Sequence, residues 1–273
     1  MSPIPPFFIL GAPRSGTTLL RDLLRQRPDL ICPEETMYYR WPSAFGSPEY
    51  LAVATRNLVL KKHRAMDGIG EEEFRHLAES CEDRRGLMEH HIASLRAKLN
   101  VPLAGWFDKS PYNVYGLPLL AAQYPEARIV HIHRHPVEVA ASAAAGRQLA
   151  KHSLAAAVNV WLEPMAIFDQ MRPVIAGRLI ELRYGDLLAA PERTLAELEL
   201  GLGLAAFTYD TQHVRPERGA ANFLKSFGAA ELEYVERRCA KYMQAYGYGP
   251  ALLLPPAVAG VAQGAATGYN RSP

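Results

Sequence analysis

Phe7-Phe8-Ile9-Leu10-Gly11-Ala12-Pro13-Arg14-Ser15-Gly16-Thr17-Thr18-Leu19-Leu20 decides how this chain folds. Four apolar residues running straight into a glycine predict a strand buried on both faces, the kind that parallel sheets use. From Thr17 the period changes: Leu19, Leu20, Leu23 and Leu24 recur at helical spacing until Pro28 stops the helix. Residues 7–27 therefore read as strand, tight loop and helix. Such a loop suits an anion. Backbone N–H groups converge at a helix N-terminus, where the helix dipole favours negative charge.

Working outward, a second unit of this kind starts at Arg128-Ile129-Val130-His131-Ile132-His133. Arg134-His135-Pro136 follows, then an alanine-rich helix over about 137–147 with proline in its favoured first turn. Residues 178–184 predict a third strand and residues 105–108 a fourth. Strands alternating with helices specify the α/β class: a P-loop-like three-layer fold with a central, mainly parallel sheet flanked by helices. The charged stretch over 50–100 predicts helices over one edge of the sheet. Residues 152–172 predict one long helix with Val158, Trp161, Leu162, Met165 and Phe168 on its apolar face, and about 229–245 a closing helix. We expect a single domain over 1–250 and an Ala/Gly/Pro-rich tail over 251–273.

Composition narrows the function. The 273 residues carry a formal net charge of +2, too little for a dedicated nucleic-acid binder, so any anion site is local. Cys32, Cys81 and Cys239 form neither a CxxC pair nor a ligand cluster, which points to reduced thiols and no metal. The first residues lack the features of a secretory signal, and no apolar run approaches the ~20 residues of a membrane span. A cytoplasmic protein without a membrane span is expected. His63, His90 and His91 read as surface histidines, His131 and His133 as strand packing, and Lys61-Lys62-His63-Arg64 as a solvated helix face.

Set against the pattern GxxxxGK[ST], the loop Gly11–Thr18 has Thr17 where the lysine belongs, and its basic residue, Arg14, lies inside the loop. The residue that reaches the β/γ-phosphates of a nucleoside triphosphate is absent. Gly-Ala-Pro-Arg-Ser-Gly-Thr-Thr-Leu-Leu instead resembles the 5′-phosphosulfate loop of sulfotransferases that use 3′-phosphoadenosine-5′-phosphosulfate (PAPS) and release PAP. In its Pro-Arg-Ser-Gly-Thr-Thr form it is similar to the tyrosylprotein sulfotransferases and their bacterial relatives. The resemblance implies that Pro13, Arg14, Ser15, Gly16, Thr17 and Thr18 hold the phosphosulfate, with Arg14 near the sulfonyl group. A second match lies in Ile-His-Arg-His-Pro…Ala-Ala-Ser: family members grip the 3′-phosphate with an arginine at a strand end and a serine eight residues on. Those positions are Arg134 and Ser142. A guanidinium gives directed, charge-assisted bonds to phosphate, although an arginine there also suits a structural ion pair.

The same resemblance implies the catalytic groups. In Cys32-Pro33-Glu34-Glu35-Thr36 the family's general base falls on Glu35, twenty-one residues after Arg14, with Glu34 the alternative. Lys109, in Asp-Lys-Ser-Pro, matches a lysine that stabilises charge on the sulfonyl group or the leaving oxygen. Tyr184 matches a tyrosine that contacts the cofactor, and Arg215, Arg218 or Lys225 would complete the 3′-phosphate site; Arg218 and Lys225 are the ones chosen. Two departures stand out. Animal members pair a cysteine equivalent to Cys32 with one at the position of Phe107, so that disulfide cannot form here. Their further phosphate-binding arginine falls on Gly146, with Arg147 one place later. The likeness covers about 7–40 and 105–250; residues 45–100 are not recognisable and are expected to form a helical acceptor-side region. The partner expected is a hydroxyl-bearing acceptor (tyrosine, sugar or small alcohol), with no nucleic acid and with a homodimer left open. A P-loop kinase or NTPase, and a non-catalytic PAP-binding protein, are the rival readings.

Overall fold

A computed structural model describes residues 4–101, 105–145, 153–214 and 227–251. Five strands form its sheet: β1 Phe7–Leu10, β2 Leu30–Ile31, β3 Gly105–Lys109, β4 Arg128–His133 and β5 Leu179–Arg183. Their order is β2-β3-β1-β4-β5 and every pairing is parallel, with Phe7 opposite both Phe107 and Arg128. Helices cover both faces: α1 Thr17–Leu24, α2 Pro48–Arg56, α3 Leu58–Met66, α4 Glu71–Ser80, α5 Arg84–Leu99 and α6 Leu117–Gln123. They continue as α7 Pro136–Ala145, α8 Leu154–Ile175, α9 Tyr184–Ala189, α10 Pro191–Leu202 and α11 Ala229–Ala245.

The uniform burial of β1 has a simple cause. Side chains alternate across a strand, so Phe7 and Ile9 face one layer and Phe8 and Leu10 the other. Phe7 and Ile9 pack with Leu20 and Leu23 of α1 and Leu198 of α10. Phe8 and Leu10 pack with Met88 and Ile92 of α5, Leu120 of α6 and Phe168 of α8. A third cluster joins α7, α8 and α11 through Val139, Trp161, Met165, Val235 and Cys239. With apolar helices on both sides, a strand has no polar face to show.

Some expectations need correction. The first helix ends at Leu24, three residues short of Arg27. Pro28 disfavours helical backbone at the residue before it, and Arg27 turns inward to a buried ion pair with Glu199 at 2.5 Å. Arg64 is not part of a solvated face. It is 3% exposed, lies over the Phe74 ring, donates to the Ala54 carbonyl and pairs with Glu71. The tail expected over 251–273 lies, apart from Ala251, outside the described residues.

Candidate functional site

Every strand delivers one of the sequence-selected groups at its carboxyl end. The Gly11–Thr18 loop follows β1, Glu35 follows β2, Lys109 closes β3, Arg134 follows β4 and Tyr184 follows β5. The chain leaves β1 for β2 and β3 on one side and returns to β4 on the other. In open α/β sheets a crevice at such a switch, outside the carboxyl ends, is where ligands bind.

The loop is tightly held. Gly16 caps α1 at φ 95°, and a Cβ there would lie 2.1 Å from the Tyr184 ring. A Cβ on Gly11 would lie 2.3 Å from the Ile132 carbonyl oxygen. Only glycine permits these approaches. Arg14 has φ 74°, a conformation that a non-glycine residue adopts only under constraint, and its side chain is exposed. Pro13, Ser15 and Thr17 are buried and Thr18 is exposed. The Ser15 hydroxyl has no hydrogen-bond partner among the described residues, although Ser15 is fully buried. A buried polar group without a partner is costly.

Arg134 braces the loop from the start of α7. It donates to the Arg14 carbonyl at 3.3 Å, pairs with Glu138 at 3.1 Å and lies over the Tyr184 ring at 4.6 Å. Ser142 instead accepts from Arg14 Nε at 3.1 Å. The two sequence-matched residues thus flank Arg14 from different sides. Arg215, Arg218 and Lys225, together with Gly146 and Arg147, lie outside the described residues.

Glu35 and Lys109 meet in an ion pair, and the same ammonium lies 3.4 Å from the Thr18 hydroxyl. Lys109 is 1% exposed, so its charge is desolvated and directed. Glu34 is differently engaged: its carboxylate takes Arg21 at 2.9 Å and Arg25 at 2.8 Å. Burial alone would lift the Glu34 carboxyl, but the arginines outweigh it and hold the group below its usual range. Its backbone N–H donates to both oxygens of Asp67, at 3.0 and 3.1 Å. Asp67 meets His91 Nε2 at 3.0 Å, and His91 Nδ1 meets the Tyr38 hydroxyl at 2.6 Å. His63 Nδ1 reaches the Glu35 carbonyl at 3.0 Å. The expectation of surface histidines therefore fails for His91, 1% exposed on the inward side of α5, and for half-buried His63. His90, on the exposed side, takes the Gly86 carbonyl.

Behind Lys109 lies Asp108, fully buried and accepting hydrogen bonds from Thr36, Ser110 and Asn113 at 2.9 to 3.0 Å. Burial pushes its carboxyl up to about 6 in spite of those bonds. Sequence reasoning missed Asp67, His91 and Asp108. Asp108 had a signal in the spacing Asp-Lys-Ser-Pro-Tyr-Asn; the other two are brought in only by tertiary packing. His131 stacks on Phe168 at 3.7 Å, and burial lowers both His131 and His133, the latter to about 3. Cys32, Cys81 and Cys239 are free thiols, and Phe107 stacks on Phe7 at 4.8 Å where a disulfide partner would stand.

The model of the Sulfotransferase family matches residues 5–209. Nodulation protein NoeE of Sinorhizobium fredii is 28% identical over 80% of this chain and 46% of its own length. Protein-tyrosine sulfotransferase 1 of Danio rerio is 28% identical over 46% of this chain and 32% of its own. The chain spans less than half the length of either relative. The sulfotransferase domain of the Synechococcus PCC 7002 olefin synthase shares the fold, with a TM-score of 0.59, 20% identity, and coverage of 91% of this chain and 97% of that one. Among the described residues no helix is long and apolar enough to cross a membrane.

Proposed function

Since the chain belongs to the sulfotransferase family, and is thus an enzyme, we propose that it moves a sulfonyl group from PAPS to an acceptor hydroxyl, with Glu35 as general base. The observation that carries this reading is the Glu35–Lys109 pair beside an anion loop whose buried Ser15 hydroxyl lacks a partner. PAPS, when bound, supplies a sulfonyl group joined to a phosphate leaving group. The loop residues Pro13 to Thr18 hold the 5′-phosphosulfate through N–H groups, hydroxyls and the α1 dipole. Arg134 and Ser142 hold the 3′-phosphate, with Arg218 and Lys225 completing that site, and Tyr184 contacts the cofactor.

Glu35 accepts the acceptor's hydroxyl proton while the oxygen forms its bond to sulfur and the bond from sulfur to the phosphate oxygen breaks. Lys109 reaches both the Thr18 hydroxyl on the donor side and the Glu35 carboxylate on the acceptor side. Its ammonium, with Arg14, offsets the negative charge that grows on the sulfonyl and leaving oxygens. The proton ends on Glu35, and PAP leaves with the electron pair. We place the reaction in the cytoplasm, a reading supported by the three free thiols.

Calorimetric titration with PAP, and with ATP plus Mg²⁺, tests the donor. Thr17 in place of the loop lysine leads to tight PAP binding and weak ATP binding. ATP bound as tightly as PAP overturns the reading in favour of an NTP-using enzyme.

A further inference from the structure

A cavity of about 620 Å³ is walled by residues that follow, along the chain, the two segments carrying Glu35 and Lys109. One wall is Tyr39, Arg40 and Trp41; the other begins at Tyr112 and Tyr115, and Arg84 of α5 closes the back. Arg40 is five residues beyond Glu35 and Tyr112 three beyond Lys109. At ~3.6 Å per residue these positions lie within ~18 Å and ~11 Å of the catalytic pair. The segments are stitched together by Ser110 Oγ on the Met37 N–H at 3.2 Å and Asn113 Oδ1 on the Tyr39 N–H at 2.9 Å. A volume of this size fits a small-molecule ligand or the end of a larger one.

The chemistry of the cavity is one-sided. None of the residues lining it is acidic, yet two are arginines, Arg40 and Arg84, whose side-chain hydrogen bonds among the described residues go to no carboxylate. Arg84 is 3% exposed; it donates to the Tyr38 and Ser43 carbonyls and lies over the Tyr50 ring at 4.7 Å, while its Nε has no hydrogen-bond partner among the described residues. The Trp41 indole N–H is also buried without an acceptor. Arg40 lies over the Tyr112 ring at 4.0 Å and the Trp41 ring at 4.5 Å. Among the described residues its side chain makes one hydrogen bond, a long contact to Met37 Sδ at 3.8 Å. At the rim, the Tyr115 hydroxyl is already taken by Glu163 at 2.7 Å.

We infer that this cavity is the acceptor subsite and that it takes a hydroxyl acceptor bearing a carboxylate on an aromatic or apolar body. This assignment rests on the sulfotransferase reading above. A guanidinium whose flat face is engaged by rings presents its N–H edge, which suits a planar carboxylate taken side-on. The tyrosine and tryptophan rings take the apolar body, and the free indole N–H offers a further donor.

Calorimetric titration of the PAP-bound protein with 3-(4-hydroxyphenyl)propanoate and with its primary amide tests the assignment. The acid is expected to bind ~10- to 100-fold more tightly than the amide, the scale of one charge-assisted hydrogen bond. Arg40→Ala should erase that advantage and leave amide binding unchanged. Equal binding of acid and amide, no measurable binding of the acid, or an advantage that survives in Arg40→Ala each overturns it. The titration reads binding and not transfer, so the two readings fail separately. Arg40-dependent binding without transfer from PAPS would sink the donor assignment and leave the subsite standing. Transfer to acceptors without any Arg40 dependence would do the reverse.

Discussion

Lys109 and Glu35 form an ion pair across the carboxyl ends of the neighbouring strands β2 and β3, with the lysine 1% and the glutamate 20% exposed at their side chains. One partner is sealed in and the other faces the opening. A buried ammonium with a single carboxylate outlet fixes where that carboxylate points, which is the placement a proton acceptor needs. The adjacent Glu34 is spent on Arg21 and Arg25.

This division of labour separates two neighbouring substitutions. Glu35→Gln should lower turnover by ~10²-fold or more while leaving PAP affinity nearly unchanged. The loss should be smaller for an acidic phenol than for an aliphatic alcohol, because the phenol needs less help to ionise. Glu34→Gln should keep most of the rate but lower thermal stability by about 1–2 kcal/mol, since two arginines lose a charged partner. Steady-state kinetics and thermal unfolding of both variants check this; an inactive Glu34→Gln beside an active Glu35→Gln contradicts it.

Arg134 carries two loads that binding can tell apart. It braces the Arg14 carbonyl and pairs with Glu138, and in our reading it also faces the 3′-phosphate. Arg134→Ala should weaken PAP far more than adenosine-5′-phosphosulfate, which lacks that phosphate. Equal weakening of both ligands would make Arg134 structural only.

Asp108 predicts a pH signature. Its carboxyl, ordinarily at 3.8, is pushed up to about 6 by burial, so the folded state binds its proton more readily than the unfolded chain. Stability is therefore lost as pH rises from ~4 to ~6, by up to ~3 kcal/mol from this group. Asp108→Asn gives up a hydrogen-bond acceptor but escapes that loss. Denaturant unfolding at pH 4.5 and 7.5 should show the variant gaining on the wild type at the higher pH. A difference independent of pH contradicts the assignment.

The Tyr38–His91–Asp67 series holds the Glu34 N–H, one peptide away from the Glu35 side chain. Small misplacements of a catalytic group are costly, so His91→Phe should reduce kcat ~10-fold without altering PAP affinity. A variant with unchanged kcat would show that the series supports only the fold.

Much of this was legible in the sequence because the signals are local. Phe7–Leu10 with its loop, Arg128–His133 and the helix Ala229–Ala245 each announce themselves by period, and the carbonyl-end residues follow directly from the strands. What stayed hidden depends on distant packing. Strand β2 has only two residues, Leu30 and Ile31, and is a strand because β3 pairs with it. The helix from Pro191 to Leu202 carries no motif that the site needed. His91 and Arg64 look like solvated charges until α3, α4 and α5 close around Asp67, Glu71 and Phe74. The hydrogen bond from Arg14 to Ser142, residues 128 apart in the chain, has no local signal either.

The central claim is sulfonyl transfer from PAPS with Glu35 as the base, and transfer of labelled sulfur reads it directly. The protein is incubated with ³⁵S-labelled PAPS and a hydroxyphenyl carboxylate acceptor, and labelled sulfate ester and PAP are quantified for wild type and Glu35→Gln. We expect one PAP released for each labelled ester formed, with the rate reduced at least ~10²-fold in the variant. PAPS that binds yet transfers no label to any hydroxyl, or a Glu35→Gln variant that transfers at the full rate, would contradict the account.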